Sequence, residues 1–201
     1  MPGWDENSPL LVANLTRVLE SIQQAASKRE RFSAEDARGW HRETMEGLDV
    51  PNEEWRGAFR GEAGLEGLGV RVGGRPGVES SLVTKALEKF EAVLEGLLGF
   101  LDEEIEVGAE LTPAQIEAVI ETCARVHAEW VRIHPFANGN GRTARLWANA
   151  IALRYGLPPF VRLRPRPQDG GYAEAAQAAM GGNAQPTVDC FREQLRLFLG
   201  E

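Results

Sequence analysis

With 201 residues, 43% of them hydrophobic and 26% charged, the chain has the proportions of one globular domain able to bury a core, which excludes intrinsic disorder. A net charge of −8 excludes a protein that coats nucleic acid with a broad basic face. The opening MPGWDENSPL has neither the basic nor the apolar region of a leader, and no apolar run reaches membrane-span length, so a cytoplasmic protein with no membrane and no nucleic-acid partner is expected.

Helical periodicity dominates the chain. Residues 10–28 set Leu10, Leu11, Leu15, Val18, Leu19 and Ile22 three and four apart, which predicts an amphipathic helix. Ser33 is the N-cap of a second helix that stops near Gly47, with His41 on its core side. Residues 52–77 are rich in Gly and Arg, and WRGAFRG and VRVGGRPG there predict a short hairpin or flap closed by Gly73, Gly74 and Pro76. Residues 78–101 carry a helical stripe through Leu82, Ala86, Phe90, Val93, Leu94, Leu97 and Leu98. Thr112, Pro113 and Gln115 then form a start signal for a helix that includes Cys123, His127 and Trp130 and ends at the His134-Pro135 junction. From about Gly141 to Tyr155 the pattern is apolar nearly all round, which predicts a central buried helix ended by Gly156, Pro158 and Pro159. Two further helices are expected over 171–180 and 186–199. Cys123 and Cys190 lack metal or redox spacing and read as buried thiols. The fold class expected is mainly α, with helices at 1–50, a flap at 52–77 and a helical core at 78–201.

Residues 134–145, HPFANGNGRTAR, carry the chemistry. Glycines let backbone N–H groups approach an anion, and a helix that begins beside them turns its partly positive N-terminus toward it. Arg142 and Arg145, one turn apart on one face, suit two forks on one polyphosphate. His134, at a helix end, is suited to take a proton beside that phosphate near neutral pH. Residues 130–168 contain seven arginines (132, 142, 145, 154, 162, 164 and 166) and no Asp or Glu; taking these seven charges from −8 leaves −15 for the rest. That asymmetry points to a local anion site, although most of these arginines taken singly need only solvate a surface or pair with a carboxylate. Gly139, Gly141 and Ala144 also satisfy the loose dinucleotide fingerprint, but a helix rather than a strand precedes them. His127 and His134 lack a third metal ligand nearby, and His127 reads as core.

Taken together, the pattern resembles the Fic (Fido) family, whose signature HxFx[D/E]GN[G/K]RxxR is met by His134, Phe136, Gly139, Asn140, Gly141, Arg142 and Arg145. GAFRG and VRVGG look like the strands of that family's flap, and GLPPF after the central helix is typical; the likeness covers roughly residues 40–198. The resemblance implies a single Fic-type helical domain over 1–201 that transfers AMP from ATP to a Ser, Thr or Tyr hydroxyl of a target protein. His134 would be the base, Asn140 with the amides of Gly139 to Gly141 would hold the α-phosphate, and Arg142 and Arg145 would bind the pyrophosphate. Phe136 would anchor the loop in the core. The flap, through Phe59, Arg60, Val70, Arg71 and Val72, would hold a target segment by strand addition. Tyr155 and Tyr172 would border a base pocket or simply pack.

Two departures qualify that likeness. Asn138 stands where the family has an acidic residue for Mg²⁺, so a weak amide ligand is expected, with Mg²⁺ arriving already chelated by the nucleotide. The inhibitory motif [S/T]xxxE[G/N] is absent: Arg42, Glu62 and Glu91 stand four residues before the glutamates of the three Glu-Gly pairs. A constitutively competent site, or one blocked by an antitoxin-like partner, is expected. The alternatives are a weakened module that binds nucleotide or peptide, and transfer of UMP, phosphocholine or phosphate. Gly141 argues mildly for nucleotidyl transfer, since kinase relatives carry Lys there.

Overall fold

The computed structural model describes residues 8–165, 167 and 171–200. The opening seven residues, Arg166 and Glu201 lie outside the described residues, and with them the leader reading and one of the seven arginines.

Helices α1 (Pro9–Ser27) and α2 (Ala34–Thr44) come first, followed by a two-stranded hairpin, β1 (Arg71–Val72) and β2 (Arg75–Pro76). Helices α3 (Val83–Glu104), α4 (Pro113–Ile133), α5 (Asn140–Arg154), α6 (Tyr172–Ala179) and α7 (Gln185–Leu199) complete the mainly helical fold. Local signals open several of them. Ser8 accepts from Leu10 N–H with Pro9 in the first turn of α1, and Ser33–Asp36 and Thr112–Gln115 close reciprocal capping boxes on α2 and α4. Each cap satisfies donors that a helix start leaves orphaned, worth about 1 kcal/mol.

The central pair is α4 and α5. Helices α1 and α2 cover α5, α3 and α7 flank α4, and α6 packs on α4 and α7. Because α5 is surrounded, nearly all its side chains are buried, as its unbroken apolar pattern predicts. Trp147 of α5 lies edge-on to Trp40 (5.0 Å) and Phe90 (5.3 Å) and 5.7 Å from Trp130. Truncating either central indole to Ala would cost about 3–5 kcal/mol. Cys123 and Cys190 are buried and unbridged, and burial pushes the Cys123 thiol well above its ordinary value. Arg132 pairs with Glu129 at 2.6 Å and Arg154 with Asp102 at 2.7 Å, so these two cations serve local pairing rather than the anion site. Among the described residues no helix is long and apolar enough to cross a membrane.

The flap is smaller than expected. Of residues 52–77 only 70–77 form the hairpin, with Arg71 opposite Pro76 and Val72 opposite Arg75. The preceding stretch holds a one-turn helix, Glu53–Trp55, and a single bridge from Phe59 to Phe136. Helix α3 starts later than residue 78, after a short turn at Ser80–Leu82. The reason is that Gly77 N–H still bonds Val70 O (3.1 Å) and Val78 O accepts from Arg60 (2.7 Å), which commits this backbone to the hairpin base.

Candidate active site

Helix α4 ends where the proline requires, yet His134 is not extended: it is the C-cap, in the left-handed conformation with φ 55° and ψ 57°. That conformation costs a non-glycine residue about 1–2 kcal/mol. Two contacts hold it. His134 N–H caps Trp130 O (2.9 Å), and its carbonyl accepts from Arg60 Nε (2.8 Å). Arg60 also donates to Ile133 O (3.0 Å), Leu68 O (3.0 Å) and Val78 O (2.7 Å). A buried guanidinium therefore caps the negative end of α4, where cations and orphan carbonyls complement one another.

The imidazole of His134 is half-buried, and its Nδ1–H donates to Val131 O (3.0 Å), which leaves the lone pair on Nε2. Burial lowers its pKa from the ordinary 6.5, and the nearby Arg60 charge lowers it further, outweighing the hydrogen bond to Val131 that raises it. The ring is accordingly neutral and basic at pH 7. The base of the hairpin lies over it: a Cβ built on Gly77 would come within 3.0 Å of His134 Cβ and of Val70 Cγ2.

The loop from Pro135 to Gly139 is tied down from three sides. Phe136 is fully buried, 5.0 Å from Phe59, and stacked on His41 at 3.9 Å with 13° between the planes. His41 Nε2–H donates to Asn138 O (3.0 Å), and its Nδ1 accepts from Gly57 N–H (2.9 Å). Asn140 bridges the loop from inside: Oδ1 accepts from Phe136 N–H and Nδ2 donates to Phe136 O, both at 2.8 Å. Gly139 adopts φ 77° as the N-cap of α5, and a Cβ there would lie 2.6 Å from Met45 Cε and 3.1 Å from the His41 ring. Glycine is required on both counts.

Behind the loop, Arg142 and Arg145 are buried on the first turns of α5. Arg145 folds back along its helix, so that a Cβ on Gly141 would sit 3.5 Å from Nη1. It donates to Tyr172 Oη (3.2 Å) and Leu163 O (3.3 Å), and among the described residues no carboxylate is bonded to it. Its buried Nε has no partner. Tyr172 in turn bonds His127 Nε2 (2.9 Å), and burial with the Arg145 charge beside it drops His127 to a pKa of about 3.

Three expectations need correction. Phe59 and Arg60 are not flap strand residues; both are buried beneath the loop, one as a packing partner of Phe136, the other as the cap of α4. The Asn140 side chain is consumed by Phe136 and is not open to a phosphate; only its backbone N–H faces out of the helix start. Asn138 Oδ1 already accepts from Gly139 N–H (2.6 Å), and among the described residues no group of three or more His, Cys, Asp or Glu could hold a metal. These residues do not fit a resident Mg²⁺. Of the two readings of Tyr155, packing is the one observed: its hydroxyl bonds Asp102 (2.9 Å) and Leu98 O (3.1 Å). Val70, Arg71 and Val72 do lie in the hairpin. The roles of Arg60 and Tyr172 were not visible in the pattern, since their partners, His134 and Ile133 for the one and His127 and Arg145 for the other, lie far from them in the chain.

A model of the Fic/DOC family matches residues 31–152. Among curated proteins, the chain is 37% identical over 84 residues to the protein adenylyltransferase Fic of Drosophila virilis and, equally, to that of Drosophila melanogaster; each match takes 40% of this chain and 17% of the relative. The chain thus spans about a sixth of those relatives' length. Among solved structures, Fic-1 of C. elegans (residues 134–508) is similar with a TM-score of 0.69 and 23% identity, over 100% of this chain and 52% of that one. BepC of Bartonella tribocorum, solved with AMPPNP bound, is similar with a TM-score of 0.60 and 20% identity, over 91% and 85%. At these identities the likeness is one of fold.

Proposed function

We propose that this chain, which belongs to the Fic/DOC family, is a transferase that moves AMP from ATP onto a hydroxyl side chain of a target protein. The observation that carries the reading is Arg145: a buried cation folded against the start of α5, with no carboxylate partner among the described residues and one orphan donor. A phosphate oxygen supplies that missing acceptor. The amides of Asn140 and Gly141 at the same helix start hold anionic oxygen through the helix dipole. Neutral His134 takes the target hydroxyl proton on Nε2 as that oxygen attacks the α-phosphorus. The bond from phosphorus to pyrophosphate then breaks, and Arg142 and Arg145 receive the departing charge. General-base help of this kind contributes about 10²–10⁴ in rate. The hairpin residues Val70, Arg71 and Val72, lying over His134, present a backbone edge for the target segment. Residues 1–201 act as one unit, and because Arg145 meets no carboxylate among the described residues, none of their glutamates has to be released for activity.

The test is incubation of the purified chain with α-³²P-labelled ATP in a lysate, beside His134→Ala. Label on protein that requires His134 supports the reading. Silence with ATP and with the other three nucleoside triphosphates refutes it in favour of a nucleotide-binding module, the reading that the engaged Asn138 amide favours.

A further inference from the structure

We infer that the outward flank of α3 is the contact surface for a second copy of this chain, with the two α3 helices lying antiparallel across a two-fold axis between Gly96 and Leu97.

Helix α3 carries two apolar stripes. One, through Val83, Leu87, Phe90, Leu94, Leu98 and Leu101, is buried against the body of the fold. The other runs from Leu82 through Ala86, Val93, Leu97 and Phe100 to Val107 just past the helix; Ala86 and Leu97 partly pack on the core, while Val93 and Phe100 are each 59% exposed, Leu82 50% and Val107 76%. Four of the chain's exposed large hydrophobics thus fall on one helix and its two ends. A solvated face has no need of that, because scattered single apolar residues are normal whereas an ordered stripe marks an interaction surface. Gly96 borders the same flank, and a Cβ on it would meet open space. It costs helix stability and gains nothing within the monomer, but leaves room for a second helix to approach closely.

The occupant follows from self-complementarity. An isologous contact needs a patch that matches itself when rotated by 180°. About an axis between residues 96 and 97, Val93 falls opposite Phe100, Gly96 opposite Leu97, and Lys89 opposite Glu104. Each large side chain meets a smaller one. The charges match in the same register. Of the three lysines in the chain, two, Lys85 and Lys89, lie in the N-terminal half of α3, while Glu103, Glu104 and Glu106 cluster at the other end. Among the described residues Lys89 and Glu104 form no salt bridge within the chain, and a parallel pairing would set like charges against each other. Helix α3, with 22 residues, is about 33 Å long. One such seam buries less than the roughly 1,600 Å² of a standard interface, the size class of weak, reversible contacts.

Sedimentation velocity on the full chain from about 1 to 200 µM, a range suited to a weak, reversible contact, tests this. The expected result is a concentration-dependent doubling of mass that Phe100→Glu abolishes without changing the far-UV circular dichroism spectrum. Lys89→Glu and Glu104→Lys should each weaken self-association tenfold or more. An equimolar mixture of the two variants should recover it, because opposite charges then face each other at both ends, a result that altered folding does not mimic. A chain that stays monomeric throughout, whether or not it then captures a lipid vesicle or an unrelated protein through Phe100, overturns the inference. So does a dimer that survives Phe100→Glu, or charge variants that fail to rescue one another.

Discussion

Acidification from pH 7.5 to pH 5.0 is expected to remove about 4 kcal/mol of folding stability through two buried imidazoles. His41 and His127 are 2% and 1% exposed, and burial, the largest cause for each, pushes both from 6.5 down to about 3. In the unfolded chain each ring takes up a proton as pH falls through 6.5, whereas in the folded chain each stays neutral until far lower. The unfolded state then binds more protons, so stability falls as pH falls, by about 1.4 kcal/mol per unit for each ring. At pH 5.0 the loss is about 2 kcal/mol per ring, and any folded value below about 4 gives the same figure. His134, lowered as well, adds in the same direction. Carboxylates contribute little in this window because they remain mostly ionised in both states. Against a total of about 5–15 kcal/mol for a typical domain, this is a large fraction. Urea unfolding of wild type and His127→Gln at the two pH values isolates one ring: the variant should lose about 2 kcal/mol less on acidification. An identical loss in the two proteins would mean that His127 is already charged in the folded state and would refute the argument from burial.

Arg60→Met removes a buried cation from four carbonyl oxygens, two of them at the end of α4, and is expected to destabilise by about 3 kcal/mol or more, read as a lowered urea midpoint. Tyr172→Phe takes one hydrogen-bond partner from Arg145 and one from buried His127; titration of the purified variant with ATP is expected to show affinity weakened about three- to tenfold, the scale of one hydrogen bond to a charged group, and the urea midpoint is expected to fall as well, by about 1–3 kcal/mol of stability. Asn138→Asp adds the missing carboxylate, and the Mg²⁺ concentration for half-maximal label transfer is expected to fall about tenfold; no change would remove position 138 from metal use altogether. The pH profile of transfer should hold its plateau below pH 6.5, since the neutral form of His134 persists there; a rise centred above 6.5 would show that another group is the base.

The helices were legible because their determinants are local. Apolar spacing, the two capping boxes and the proline after His134 act over a few residues and do not need the rest of the chain. So were the glycine at position 139, whose φ of 77° excludes a side chain, and the buried character of α5. The hairpin was over-read, since GAFRG has the composition of a strand but is drawn under the loop by Phe136 and the end of α4, partners more than 70 residues away.

The sequence by itself determined the helical order, the place where α4 stops and α5 starts, and the constellation of His134, Gly139, Arg142 and Arg145, because these follow from short-range backbone preference and residue chemistry. Only the tertiary structure decided how the constellation is held: Arg60 on the carbonyl of His134, His41 beneath Phe136 and Asn138, and Tyr172 with His127 behind Arg145. Each of these joins segments distant in the chain, and a hydrogen bond or a ring stack depends on where two elements meet in space, which no periodicity in either one records.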